Sequence, residues 1–158
     1  MHILMCNDDG ILADGLRHLA SYLSQYYRIT VVAPANEQSA KSHALTTEVP
    51  LKLDAYNGED ENPRLYALTG TPSDCMKFGL SYLLTDDMPD LVISGINHGF
   101  NLGSDVLYSG TVSAAMESCF YGIPGLALSV ERYSVERGNE IHPFIHELIE
   151  KIYVGGPV

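Results

Sequence analysis

Two adjacent carboxylates, Asp8 and Asp9, are the first residues whose types and spacing suggest chemistry. They follow the short apolar run 2–6, which is typical of a buried strand, so we expect them at the carboxyl edge of an α/β sheet. Two anions about 4 Å apart repel by about 4 kcal/mol at an effective dielectric of about 20, and a divalent cation would turn that repulsion into coordination. Oxygen ligands favour Mg²⁺ or Mn²⁺. A simple polar turn is the alternative, because Asn-Asp-Asp-Gly also suits a turn.

Two polar loops are expected at the same edge of the sheet. Ser39 lies in a small, polar segment after the second predicted strand and could lend its hydroxyl to a metal or to the ligand of a metal. A mobile surface loop is the alternative for that segment. Asn97 lies in a glycine-rich loop after the apolar run 90–94, where the backbone can approach a ligand closely. Its side-chain oxygen suits a hard cation, and its amide group could donate to a phosphate.

The sequence Ser109-Gly110-Thr111 begins a predicted helix. The backbone N–H groups of Gly110 and Thr111, with two hydroxyls beside them, suggest an anion cradle. Capping of the helix by Ser109 or Thr111 is the alternative, and the two roles are compatible.

The remaining pattern predicts the elements that position these residues. Apolar residues recur at helical spacing in 16–23, and Asp14 is predicted as the N-cap of that helix. Thr71 is predicted to cap a second helix, with Pro72 at its first position and Asp74 in its first turn. A right-handed crossover makes the first two strands parallel. The other predicted elements are strands at 29–33, 49–53, 65–68, 90–94 and 125–130, and helices from 109 and from 141, the last ended by Gly155-Gly156-Pro157.

Composition narrows the class of protein. The chain has 158 residues, the size of one domain, and a net charge of −11, which argues against nucleic-acid polymers and anionic membranes as partners. A small phosphorylated ligand is compatible with that charge, because a metal or a helix N-terminus supplies local positive potential. No apolar run is long enough to span a bilayer, and the N-terminus enters a strand directly, so we expect a cytoplasmic protein.

The spacing of cysteine and histidine residues indicates neither a disulfide framework nor a zinc site. Cys6, Cys75 and Cys119 are odd in number and far apart, which favours buried free thiols. His142 and His146 have the i, i+4 spacing that zinc sites use, but no third ligand accompanies them, and a polar helix face is favoured.

Several motifs appear in a fixed order across most of the chain: Asn7-Asp8-Asp9-Gly10, Val32-Ala33-Pro34 with Gln38-Ser39, Gly70-Thr71-Pro72 with Asp74-Cys75, Ser94-Gly95-Ile96-Asn97, Gly99, Asn101-Leu102-Gly103, and Tyr108-Ser109-Gly110-Thr111-Val112 with Ala114-Ala115 and Glu117. With these motifs the chain resembles the SurE family of metal-dependent acid phosphatases and nucleotidases. Two features depart from the pattern: Asp14 stands where the family often has proline, and family members continue well past the final helix of this chain.

The resemblance implies a Rossmann-like, mostly parallel sheet flanked by helices in a single α/β domain over 1–158, without the C-terminal part of the family fold. It implies hydrolysis of nucleoside monophosphates at the 5′ and possibly the 3′ position. By the same resemblance Asp8, Asp9, Ser39 and Asn97 would hold a Mg²⁺ or Mn²⁺ ion. Dimers or tetramers and a cytoplasmic location are implied as well.

A hypothesis for the reaction follows. The metal would activate a water that attacks phosphorus, Asp8 or Asp9 would orient or deprotonate that water, and the phosphate would bind at Asn97, Ser109, Gly110 and Thr111. One rival is a signalling receiver, but Ser94-Gly95 and Ser129-Val130 occupy the strand ends where its aspartate and lysine would stand. The other rival is a nucleotide-binding module without turnover.

Overall fold

The fold is built on one six-stranded sheet with the strand order β3-β4-β2-β1-β5-β6. The computed structural model describes residues 1–58 and 60–154. The strands are β1 (His2–Cys6), β2 (Arg28–Pro34), β3 (Leu53–Ala55), β4 (Arg64–Leu68), β5 (Leu91–His98) and β6 (Gly125–Val130). The helices are α1 (Asp14–Leu23), α2 (Pro72–Phe78), α3 (Gly110–Cys119) and α4 (Val135–Val154), with a π-helical turn at Gly79–Leu83 and a 3-10 turn at Gly103–Leu107.

Parallel pairing brings the carboxyl ends of the central strands together. β1 lies between β2 and β5, with Met5 opposite Val31 on one side and Cys6 opposite Ser94 on the other. β4 and β6 extend the parallel sheet, and β3 pairs antiparallel with β4 at one edge. The predicted α/β fold with a mostly parallel sheet is confirmed, and the loops after β1, β2 and β5 emerge side by side.

Two strand predictions need correction. The strand predicted at 49–53 is instead Leu53–Ala55, because its position is set by antiparallel pairing with β4. β5 does not stop at Ser94 but continues through the glycine-rich segment to His98, because Asn97 and His98 pair with β6 after a register shift.

Both faces of the sheet are covered by apolar residues. One cluster packs β1, β2 and β5 against α1 and α4, and includes Ile3, Leu16 and Ile149. The other packs the opposite face against α2 and α3, and includes Leu4, Met76 and Ala114. Leu16, Leu19, Ala20 and Leu23 are buried, as their helical spacing predicts.

The helix caps were predicted correctly at α2 and incorrectly at α1. Thr71 accepts a hydrogen bond from the Asp74 N–H and the Asp74 carboxylate accepts one from the Thr71 N–H, a complete capping box. At α1 the N-cap is Ala13, and Asp14 is the first helical residue. A turn closed by the Ala13 N–H and the Gly10 carbonyl sets that start one residue earlier than predicted.

The structure also tests two smaller predictions. His142 lies not on an exposed polar face but buried, with its ring 5.3 Å from that of Tyr22. Cys6 and Cys75 are buried, whereas Cys119 is exposed. The helix stop predicted at 155–157 lies outside the described residues. Within 1–58 and 60–154 no helix is long and apolar enough to cross a membrane.

Candidate functional site

The turn after β1 presents both carboxylates in a fixed geometry. The Asn7 side chain brackets the turn: its Oδ1 accepts from the Gly10 N–H and its Nδ2 donates to the Gly10 carbonyl, both at 3.1 Å. Gly10 has a φ of +99°, which a side chain would strain. The Ile11 N–H then donates to the Pro34 carbonyl of β2 at 2.8 Å. The segment is therefore a tight turn, and that turn holds Asp8 and Asp9 at the sheet edge.

Asp8 lies buried against the start of α3. The residue is 5% exposed, and its Oδ1 accepts a hydrogen bond from the Thr111 hydroxyl at 2.6 Å. Gly110 permits this approach, because a Cβ there would lie 2.9 Å from the Asp8 Cβ. The positive end of the helix therefore faces a carboxylate.

The α3 N-terminus keeps backbone donors available. Ser109 is the N-cap, and its hydroxyl accepts a hydrogen bond from the Val112 N–H at 3.1 Å. The first N–H groups of a helix have no partner within the helix. Those of Gly110 and Thr111 meet no acceptor elsewhere in residues 1–58 and 60–154. Ser109 thus acts as a cap, while the anion cradle predicted from the backbone groups remains a prediction.

Asp9 lies in an environment whose net effect disfavours the ionised carboxylate. Burial raises the pKa of the Asp9 carboxyl, and the neighbouring Asp8 charge and Glu37 raise it further. The His98 N–H donates to its Oδ2 at 3.3 Å and partly offsets these effects. No described lysine or arginine forms an ion pair with Asp8 or Asp9.

A cavity of about 410 Å³ opens beside Asp9. Ser39 and His98 share its wall, so the loops after β1 and β2 meet the carboxyl end of β5 there. The Ser39 hydroxyl donates to Glu37 at 2.7 Å, which leaves the Ser39 oxygen able to accept or to ligate. The other lining residues are Ala13, Asp14, Gly15, Glu37, Ile96 and Tyr133.

Asn97 lies between two lining residues of this cavity, Ile96 and His98. Its Nδ2 donates to the Gly99 carbonyl at 2.7 Å, which orients the side chain. That bond occupies the amide nitrogen and leaves the carbonyl oxygen for a cation. Asn97 thus stabilises its own loop, and that structural role is compatible with a ligand role.

The donor set fits a hard divalent cation. Asp8 and Asp9 supply adjacent carboxylates, and Ser39 and Asn97 supply neutral oxygens. Burial and the neighbouring Asp8 charge both raise the pKa of Asp9, and a cation bound beside it would oppose that effect. Among the described residues no group of three or more His, Cys, Asp or Glu side chains could hold a metal ion, so a cation bound here would depend on neutral oxygens as well.

Several cavity and loop residues were not predicted from the sequence. Tyr133 follows β6, and its hydroxyl lies 3.2 Å from His18 Nδ1 on α1. Glu37 was seen only as part of a polar loop. His43 contacts Glu117 across 74 positions of sequence. No local pattern signals such contacts, because they depend on how distant elements pack.

Comparison with known proteins agrees with the fold and the motifs. The family model described as "Survival protein SurE" matches residues 3–155. The "5'-nucleotidase SurE" of Thermoanaerobacter sp. (strain X514) is 49% identical over 99% of this chain and 61% of its own length. That of Caldanaerobacter subterraneus subsp. tengcongensis is 48% identical over 98% of this chain and 60% of its own length.

A solved structure extends the comparison to the backbone. The crystal structure of the SurE protein from Aquifex aeolicus has a TM-score of 0.86 and 38% identity, covering 100% of this chain and 62% of that one. The chain thus spans about three-fifths of the length of the proteins it matches. On the family model and these relatives, the chain belongs to the SurE family.

Proposed function

We propose that this protein is a metal-dependent phosphomonoesterase that hydrolyses 5′- and possibly 3′-nucleoside monophosphates to a nucleoside and phosphate. Relatives named 5'-nucleotidase support the reaction class. The observation that carries the proposal is the contact between Asp8 and Thr111, which joins a carboxylate pair to a helix N-terminus. Cation ligands and anion donors then lie side by side, as a metal-bound phosphate requires.

The proposed ligands are Asp8, Asp9, Ser39 and Asn97. A divalent cation, Mg²⁺ or Mn²⁺, would neutralise phosphate charge and acidify a water molecule when bound there. The Gly110 and Thr111 amides, at the capped start of α3, are aimed to stabilise negative charge on the phosphoryl oxygens.

The Thr111 hydroxyl has a different role from the one first considered. The Thr111 hydroxyl donates to Asp8, so in this proposal it orients a carboxylate that coordinates the metal and does not contact the phosphate directly. Asp9 lines the cavity and is the better placed carboxylate to take the proton of the attacking water, because the Asp8 Oδ1 already accepts a hydrogen bond. The water oxygen bonds to phosphorus as the ester P–O bond breaks, and the departing nucleoside oxygen takes a proton from solvent.

The test is phosphate release from 5′-AMP and 3′-AMP with Mn²⁺, with Mg²⁺ and with a chelator. We expect release only with a metal, and loss of release in Asp9→Asn at unchanged far-UV circular dichroism. Binding of AMP without release would favour the nucleotide-binding module. If the protein neither bound AMP nor released phosphate from it, the proposal would be overturned. Assembly into dimers or tetramers and a cytoplasmic location stay predictions.

A further inference from the structure

The segment that follows Ser39 is bound tightly to the α3 region. The Ser42 N–H donates to the Tyr108 carbonyl at 3.1 Å, and the Ser42 hydroxyl donates to the Leu107 carbonyl at 2.8 Å. Next to it, His43 Nε2 lies 2.6 Å from Glu117 Oε2 on α3. These contacts join the loop after β2 to the residues that lead into the α3 N-terminus.

Glu117 depends on His43 for a partner. The Glu117 side chain is 7% exposed, and among residues 1–58 and 60–154 the His43 imidazole is the group that hydrogen-bonds its carboxylate. A buried carboxylate without a donor is strongly unfavourable, and hydrogen bonds to charged groups are the stronger ones. Burial of the Glu117 carboxylate therefore favours the paired state of His43 and Glu117.

The pair is too far along α3 to touch a phosphate bound at its start. Glu117 comes seven residues after Gly110 in that helix. At a rise of 1.5 Å per residue the separation along the axis is about 10 Å. His43 is therefore not a catalytic residue, and any effect it has on the site must act through the loop.

The loop between Ser39 and His43 is in a conformation that it does not prefer. Ala40 has a φ of +56° and Ser42 a φ of +53°, in the left-handed region that residues other than glycine rarely adopt. Such residues persist where the surrounding contacts over-determine the backbone. The contacts of Ser42 and His43 supply that constraint at one end of the loop.

We propose that the His43–Glu117 pair is a latch that holds Ser39 at the cavity beside Asp9, so that His43 is a positioning residue for metal binding. This inference rests on the proposed function. If the pair is broken, the segment at Ala40 and Ser42 relaxes and Ser39 leaves its place. The other proposed ligands stay, so metal affinity falls while turnover at saturating metal is largely retained.

Paired amide substitutions give the sharpest test. In His43→Gln the side-chain nitrogen reaches the position of Nε2 and can still donate to Glu117. The side chain in His43→Asn is shorter by one methylene, so its nitrogen does not reach Glu117. His146→Ala is the control for loss of a histidine beside a glutamate on another element, since His146 lies 3.9 Å from the exposed Glu150 on α4. Mn²⁺ affinity is measured by calorimetry without substrate, and hydrogen exchange is followed at 39–46.

The latch predicts that His43→Asn weakens Mn²⁺ binding on the order of tenfold, as loss of one hydrogen bond to a charged group would. Exchange at 39–46 should rise in the same variant. His43→Gln should stay near the wild-type values, as should His146→Ala. At saturating Mn²⁺ the kcat of His43→Asn should lie within about threefold of wild type, whereas a purely structural role would lower the active fraction without moving the Mn²⁺ midpoint.

Two failures are distinguishable. Equal Mn²⁺ affinity in His43→Asn, His43→Gln and the wild type, with an active wild type, would overturn the latch. A wild-type protein that neither binds Mn²⁺ nor releases phosphate would overturn the proposed function instead. In that case unchanged exchange at 39–46 in His43→Asn would also overturn the latch as a structural device.

Discussion

Replacing Thr111 by valine should destabilise the metal-free protein by about 2 kcal/mol. Valine keeps the shape of threonine but removes the hydroxyl that donates to Asp8 at 2.6 Å. Because Asp8 is only 5% exposed, water cannot readily replace the lost donor. A hydrogen bond to a charged group contributes about 1.5–3 kcal/mol, which sets the expected size.

Urea unfolding at pH 7 with a chelator measures this effect. For a chain of this size 2 kcal/mol corresponds to a fall of about 4–8 °C in Tm or about 1 M in the urea midpoint. Thr111→Ser keeps the hydroxyl and should lose much less stability than Thr111→Val. Equal midpoints for the valine variant and the wild type would refute the view that Thr111 holds the Asp8 carboxylate.

Three other predictions follow from single contacts. In Gly110→Ala, the new Cβ would lie 2.9 Å from the Asp8 Cβ, so urea unfolding should show a loss of about 1–3 kcal/mol and calorimetry weaker Mn²⁺ binding; unchanged values would show that the contact is not tight. Asn97→Ala should weaken Mn²⁺ binding more than it lowers the metal-free Tm, and the opposite pattern would favour a purely structural role. Burial and the nearby His18 lower the pKa of His142 below 6.5, so the unfolded state binds more protons there and stability should fall as pH drops below about 6.5. His142→Phe should flatten that dependence in urea titrations from pH 7.5 to 5, whereas His2, whose pKa burial also lowers, contributes equally to both proteins.

Local signals in the sequence predicted those parts of the fold that depend on neighbouring residues. The α2 cap needs only Thr71 and Asp74, three positions apart, and it was found. The first strand and β6 are apolar runs with clear ends, and they were found too. The α1 cap was missed because a turn starting at Gly10 makes Ala13 the cap.

Pairing between distant segments explains the other errors. β5 continues through Gly95 because β6 supplies a partner for Asn97 and His98, and no local pattern reports that. His142 was expected on a polar face, but the hydroxyl of Tyr133 lies 3.4 Å from its Nε2 and the ring of Tyr22 covers it.

For the candidate site too, local sequence predicted the loops but not the contacts between distant residues. Each loop was predicted from its residues and its place after a strand, and Asp9 and Ser39 do share one cavity. The Thr111 hydroxyl and Asp8 are 103 positions apart, so no local pattern predicts their hydrogen bond. From the sequence, Thr111 was interpreted only as part of the phosphate site or as a helix cap.

Titration of the metal-free protein with Mn²⁺ by calorimetry tests the central claim most directly. Asp8→Asn and Asp9→Asn should each weaken binding by at least about tenfold, because each removes a charge from an oxygen-ligand site. Asp14→Asn is the matched control, since Asp14 lines the same cavity and, among the described residues, hydrogen-bonds none of the proposed ligands, and the Mn²⁺ affinity of this variant should stay within about threefold of wild type. Equal Mn²⁺ affinity in the wild type and both aspartate variants would contradict the assignment of Asp8 and Asp9 as the metal site.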